Sequence, residues 1–268
     1  LTKKDPTAAT DWFSLLVEAY GADKNHQRVQ EFRSGMLQLL QQTVSPATIG
    51  ELLHKSYLLT AQDSFADYMT AVEWKRNPKA KFWQPRSRVL EGQHGLATKI
   101  QTMVDDPAAR FFGLSLPPGT GKSTMIKFLL SWIYGKYPNS ANMYVSYASG
   151  MVRMIYDAVC AILTDTFEYD FQTVFPNVPP PTTSADYFTI SARSGGDFPT
   201  IGLVSLGGSV TGRTRANKFL ITDDLVKDSE QARSMARMEN LWSDYTATVT
   251  TRSIGDDVKQ IQLGTVWS

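Results

Sequence analysis

The chain has 268 residues, 42% hydrophobic and 20% charged, with a formal net charge of +1. This is the balance of a soluble globular protein with a sizeable core, and near neutrality excludes a global basic field for nucleic acid while allowing a local basic face. The single cysteine, Cys160, excludes an intrachain disulfide, and His26, His54 and His94 lack metal-ligand spacing. No apolar run reaches the roughly 20 residues of a membrane span, and no signal peptide is visible.

Residues 1–80 read as a helical region. Trp12, Phe13, Leu15, Leu16, Val17 and Tyr20 form one apolar cluster, with Gly21 as its expected end. Val29, Phe32, Met36, Leu37, Leu39 and Leu40 follow at helical spacing. Ser45-Pro46 marks a break. Ile49 to Leu59 and Ser64 to Trp74 supply two more helical segments. Asn77 to Lys81 is a basic turn. The segment FWQPR follows, Phe82 to Arg86, and Arg88 to Val104 is expected to return to a helix that ends at Asp105-Asp106-Pro107.

A strand, Phe111 to Leu116, leads into Pro117-Pro118-Gly119-Thr120-Gly121-Lys122-Ser123-Thr124 and then into an apolar helix. This order of strand, glycine-rich turn and helix is that of a phosphate-binding loop. Glycines let backbone N–H groups converge on phosphate oxygens, and the helix start adds partial positive charge. Lys122 is placed to reach the β- and γ-phosphates of ATP, and the Ser123 hydroxyl to ligate Mg²⁺. Leu116 stands where the strict motif has its first glycine.

Ser123 to Trp132 is apolar nearly all round, as in a helix buried on several sides. Asn142 to Tyr147 reads as a strand and Ser149 to Leu163 as a helix. Alternation of strand and helix predicts an α/β fold with a mostly parallel sheet flanked by helices. Phe175 to Thr183 reads as a proline-rich surface loop. Tyr187 to Ala192 and Ile201 to Leu206 are strand-like, with a hairpin signal at Ser194 to Asp197. A glycine-rich loop, Gly207 to Arg213, precedes an apolar strand, Lys218 to Thr222. A polar helix is expected from Ser229 to Tyr245 and a last strand from Val258 to Leu263.

The apolar strand ends in Asp223-Asp224, about 100 residues beyond Lys122. Asp223 is placed to hold Mg²⁺ opposite Ser123, and Asp224 to orient the attacking water. A plain strand end that caps the next helix is the other reading. Arg213 or Arg215 can supply a guanidinium to the γ-phosphate, worth about 10³ to 10⁵ in rate when a neighbour provides it; otherwise both are surface or ion-paired arginines. Thr265 is either a γ-phosphate sensor or an ordinary threonine at a strand end. Gln84 can read an adenine edge, with Trp83 or Pro85 over its face and Arg86 beside it, or the segment is a turn anchored by Trp83.

Together these segments resemble the large subunit of tailed-bacteriophage terminases, the ATP-driven motors that package DNA into procapsids. FWQPRSRVL is similar to the family's adenine-binding motif. FFGLSLPPGTGKST is similar to its Walker A strand and loop, FLITDDLVKD to its Walker B run, and IQLGTVWS to its coupling motif. The likeness spans Phe82 to Ser268, so the domains are expected as a helical region over 1–80 and a P-loop ATPase core over 81–268. The resemblance implies ATP and Mg²⁺ as cofactors and double-stranded DNA as the translocated partner. It also implies a homo-oligomeric, pentameric ring, a portal protein and a small terminase subunit as further partners, and no membrane. The expected location is the bacterial host cytoplasm, with transient docking on the procapsid.

Two departures accompany the likeness. The family often carries an arginine in the loop, where this chain has Gly119 and Thr120. That shifts the expected catalytic cation to Arg213 acting across a subunit boundary. The family's nuclease domain is not found in this sequence, which reads as a fragment of a longer protein. Alternatives from other classes are an AAA-type ring ATPase or a DNA helicase motor, and a nucleotide-binding assembly module with weak turnover.

Overall fold

The computed structural model describes residues 6–40, 45–82, 95–192, 196–206 and 214–265. Four helices open the chain: α1 (Pro6–Asp23), α2 (His26–Leu40), α3 (Pro46–Thr60) and α4 (Phe65–Val72). Gly21 does not end α1. The helix runs on to Asp23 and stops where Lys24 turns left-handed, at φ 52°, with its N–H on the Tyr20 carbonyl. A single glycine costs a helix only about 1 kcal/mol, so packing carries the helix through it. The starts of α3 and α4 are set by capping serines. Ser45 accepts from Thr48 N–H with Pro46 in the first turn, and Ser64 accepts from Asp67 N–H.

Leu16, Tyr20, Val29, Phe32 and Leu52 make a small core among α1, α2 and α3. A buried charge network ties this unit to α4. Arg33 donates to both oxygens of Asp67, at 3.0 and 3.2 Å, and also to Ser56 and Thr60. Helix α4 in turn belongs to the main core. Trp132 Nε1 donates to the Ala61 carbonyl at 3.0 Å, and the Tyr68 and Ser131 hydroxyls pair at 2.7 Å. A shared core therefore crosses the stretch near residue 80.

Gly95 is extended, and α5 (Leu96–Asp105) starts just after it, so the expected helix from Arg88 does not run through as one element; residues 83–94 lie outside the described part. Strand β1 (Phe111–Leu116) and helix α6 (Lys122–Lys136) follow, then β2 (Asn142–Ser146), α7 (Ser149–Thr164) and the short α8 (Phe171–Val174). Helix α6 is buried on almost every side, as its apolar sequence requires. It packs so closely that a Cβ on Gly135 would run into the Phe175 ring. Phe175 and Val178 are core residues, so the proline-rich stretch is anchored inward and is not wholly a surface loop.

The sheet is completed by β3 (Thr182–Ser184), β4 (Thr189–Ser191), β5 (Ile201–Ser205), β6 (Phe219–Asp223) and β7 (Lys259–Thr265). Its seven strands lie in the order β1-β7-β6-β2-β5-β4-β3. Strands β1, β7, β6, β2 and β5 are mutually parallel, and β4 and β3 add antiparallel at one edge. This is the expected α/β class with a mostly parallel sheet flanked by helices. Strand β3 was not foreseen. The stretch from Tyr187 to Ala192 contributes only a short β4, because Phe188 enters it left-handed at φ 47°. Strands β4 and β5 pair antiparallel, as the hairpin signal at Ser194 to Asp197 between them requires, and residues 194–195 of that signal lie outside the described part.

The expected helix from Ser229 to Tyr245 is two helices, α9 (Ser229–Arg233) and α10 (Met235–Asp244). Ser234 is extended between them and caps α10 by accepting from Arg237 N–H, a serine habit that competes with helix continuation. A π-helical turn, Tyr245–Val249, follows and packs with Met143, Val145 and Leu220 on the sheet face away from α6. Strand β7 runs to Thr265, which pairs in register with Leu116, two residues further than expected.

Candidate functional site

Parallel pairing brings the C-terminal ends of β1, β7, β6 and β2 to one edge of the sheet. Ser146 lies opposite Asp223, and Leu116 opposite Thr265. In open α/β sheets this edge is where ligands bind. Beyond Leu116 the chain turns through Pro117 to Gly121, with Thr120 Oγ1 donating to the Pro117 carbonyl at 3.0 Å. Gly119 and Gly121 are left-handed, at φ 78° and 88°, which only glycine adopts at little cost. Helix α6 begins at Lys122. Its N-cap Gly121 makes no side-chain capping bond to the first-turn N–H groups, which stand at a helix end carrying partial positive charge. Ser123 and Thr124 are half-buried in that first turn, and Pro118 and Gly119 are exposed at the loop.

Lys122 is buried, and its Nζ donates to Asp224 Oδ1 at 2.6 Å and to Thr265 Oγ1 at 2.9 Å. Thr265 Oγ1 in turn donates to the same Asp224 oxygen at 2.7 Å. Lys122, Asp224 and Thr265, from three separate parts of the chain, thus close a triangle. Asp224 stands at φ 44°, uncommon for a residue with a side chain. Its N–H is held by the Leu263 carbonyl at 2.9 Å. Strain of this kind persists where surrounding contacts over-determine the backbone.

Asp223 is fully buried at the end of β6. Its Oδ2 accepts from the Tyr144 hydroxyl at 3.2 Å, while Oδ1 has no hydrogen-bond partner among the described residues and lies 3.8 Å from Lys122 Nζ. Burial pushes the Asp223 carboxyl up to about 6; the Lys122 ammonium opposes this and the Asp224 carboxylate adds to it. Burial, with the Asp223 charge beside it, also raises the Tyr144 phenol well above its ordinary value. An orphaned, buried carboxylate oxygen beside a helix start fits a hard divalent cation. Mg²⁺ takes one or two protein oxygens and leaves its other positions to water and phosphate. The residues that would hold it are Asp223 and Ser123.

Of the residues singled out in the sequence, the fold brings Lys122, Asp223, Asp224 and Thr265 together. Trp83, Gln84, Arg86 and Arg213 lie outside the described residues. Arg215 is half-buried with its guanidinium 5.8 Å from the centre of the Phe198 ring. Sequence reasoning missed Tyr144. Its only signal was position: two residues before the end of a strand, on the same side as the strand-end Ser146.

No family model matches the chain, and no curated protein matches it. Among solved structures the chain is similar to the large terminase of bacteriophage HK97, at 10% sequence identity and a TM-score of 0.40. That match covers 62% of this chain and 32% of the terminase, so the chain spans about a third of that protein's length.

Proposed function

We propose that this chain is a Mg²⁺-dependent ATPase whose turnover drives double-stranded DNA into a viral procapsid. The observation that carries the ATPase reading is the triangle of Lys122, Asp224 and Thr265 beside the left-handed glycines of the 117–121 loop. Lysine at a helix start, a carboxylate at the end of a neighbouring parallel strand and a hydroxyl on the strand between them are the groups phosphoryl transfer asks for. That reaction needs positioning and charge stabilisation more than covalent chemistry.

Each group has a task in this reading. Backbone N–H groups from Gly119 to Thr124 hold phosphate oxygens. Lys122 exchanges its bond to Asp224 for one to the β- and γ-phosphates. That exchange releases the Asp224 carboxylate to orient and deprotonate the attacking water. Asp223 and Ser123 would hold Mg²⁺, which would supply charge neutralisation to the phosphates. Tyr144 keeps the Asp223 carboxylate turned so that Oδ1 remains open. Thr265 touches both Lys122 and Asp224, so it registers whether they are joined. Trp83, Gln84 and Arg86 are proposed to hold the adenine.

The DNA-packaging part rests on the likeness of the segments from Phe82 to Ser268 to terminase motifs. It carries with it a pentameric ring, a portal protein, a small terminase subunit and a site of action in the bacterial host cytoplasm. Phosphate release by the purified protein tests the core of the reading. Hydrolysis is expected with ATP and Mg²⁺, and chelation of the metal should abolish it; protein that neither binds nor hydrolyses ATP would overturn the ATPase assignment. Arg213 is proposed to act on the neighbouring subunit's site. Mixing Arg213→Ala with Asp224→Asn protein should then restore part of the turnover that each lacks alone. Absence of rescue in a confirmed assembly would refute the trans role.

A further inference from the structure

Glu73 lies one residue past α4 and is only 1% exposed. A carboxylate there is doubly disfavoured, because it is out of water and at the negative end of a helix. Donors on the turn that follows offset this. The Phe82 N–H reaches both carboxylate oxygens, at 3.1 Å each, and Arg76 Nη1 donates to Oε1 at 2.9 Å. Arg76 is itself held by Glu168 at 3.0 Å and lies over the Tyr169 ring. The chain between Glu73 and Phe82 is folded back on itself, with Arg76 N–H on the Glu73 carbonyl and Ala80 N–H on the Asn77 carbonyl.

The Phe82 ring points at the glycine-rich loop. It stacks on Phe128 of α6, with centroids 6.1 Å apart and planes at 22°. A Cβ on Gly121 would lie 2.6 Å from Phe82 Cε2 and 2.7 Å from Cζ, so the ring rests directly against the loop backbone. Gly121 is the left-handed residue before Lys122. Its conformation sets where the helix starts and where the lysine leaves it.

We infer that Glu73 is a positioning residue for the glycine-rich loop: by holding the Phe82 N–H it seats the Phe82 ring against Gly121, which fixes the direction of Lys122. The inference gives the end of the N-terminal helical region a role in the nucleotide site, and it rests on the reading of that loop as phosphate-binding. If Glu73 only closed the turn from Trp74 to Lys81, its loss would loosen that turn and leave the loop unchanged.

Hydrogen–deuterium exchange of residues 117–124 in the wild-type, Glu73→Gln, Phe82→Leu and doubly substituted proteins separates these roles. Glu73→Gln keeps the side-chain volume and one acceptor oxygen. Phe82→Leu keeps the backbone donor and removes the ring, so it carries the same readout should Glu73→Gln not fold. Each single variant is expected to raise loop exchange by about tenfold, with β2 and α3 unchanged. ATP affinity, read with a fluorescent ATP analogue and Mg²⁺, should weaken by about tenfold, as small misplacements of contact groups do. Because Glu73 acts through Phe82, the double variant should be no worse than Phe82→Leu alone. Unchanged loop exchange in the folded variants, or effects that simply add in the double variant, would overturn the inference. Loop exchange that responds as expected in a protein that binds no ATP would instead overturn the phosphate reading and leave the Phe82 seat standing.

Discussion

Replacing Asp224 by Asn is expected to lower steady-state ATP hydrolysis by about 10²- to 10⁴-fold, the range for removal of a general base, while nucleotide binding is kept. Asparagine suits this test for two reasons. It tolerates the left-handed backbone at φ 44° better than most residues, so the turn after β6 should survive. It also keeps an oxygen for Thr265 and Lys122, which now donate to Asp224 Oδ1 at 2.7 and 2.6 Å. With the negative charge gone, Lys122 gives up a weaker contact on meeting phosphate, so ATP should bind at least as tightly as to wild type. Phosphate release and a nucleotide titration on the same preparation measure both effects. Turnover at the wild-type rate would remove Asp224 from the catalytic role.

Arg33→Ala is expected to be strongly destabilising although it lies outside the site. The guanidinium of Arg33 and the carboxylate of Asp67 are both almost wholly buried, 5% and 4% exposed. The arginine also donates to Ser56 Oγ, the Ser56 carbonyl and Thr60 Oγ1, and it lies 3.9 Å from the Tyr57 ring centre. Removing it leaves Asp67 charged and buried without its partner, a loss of about 3–5 kcal/mol. For a protein of this size the melting midpoint should fall by roughly 2–4 °C for each kcal/mol. Replacing Arg33 by Met and Asp67 by Leu together should cost less than Arg33→Ala, because the desolvated charge is then absent. Thermal melts of the three proteins decide it, and a single-variant loss below about 1 kcal/mol would show the pair to be screened by water.

Much of the candidate site was legible because its pieces are local. Glycines at 119 and 121 anticipate left-handed backbone, Lys122 stands at a helix start, and Asp223-Asp224 ends an apolar run. Each needs only a few neighbouring residues to be recognised. Helix and strand types were also legible, since the apolar spacing along α2, α6 and β6 reports the face each element buries.

What was missed depends on packing at a distance. Gly21 looked like a stop, yet contacts made by Tyr20 and its neighbours carry α1 to Asp23. Ser234 breaks a stretch without Gly or Pro, because its hydroxyl prefers to cap α10. Strand β3 is short, polar and preceded by prolines, so only the partner β4 reveals it. Tyr144 carries no motif, and its contact with Asp223 is visible only when that residue arrives beside it from the neighbouring strand.

By itself, then, the sequence determined the groups proposed for phosphate chemistry and the α/β class that presents them, because φ-permissive glycines, helix starts and apolar periodicity are properties of short segments. Tertiary structure alone decided which of those groups meet. Strand β7 comes last in the described chain and inserts between β1 and β6. That order places Thr265 between Lys122 and Asp224, and it arises from burying both faces of the central strands, a requirement that no local stretch of sequence can express.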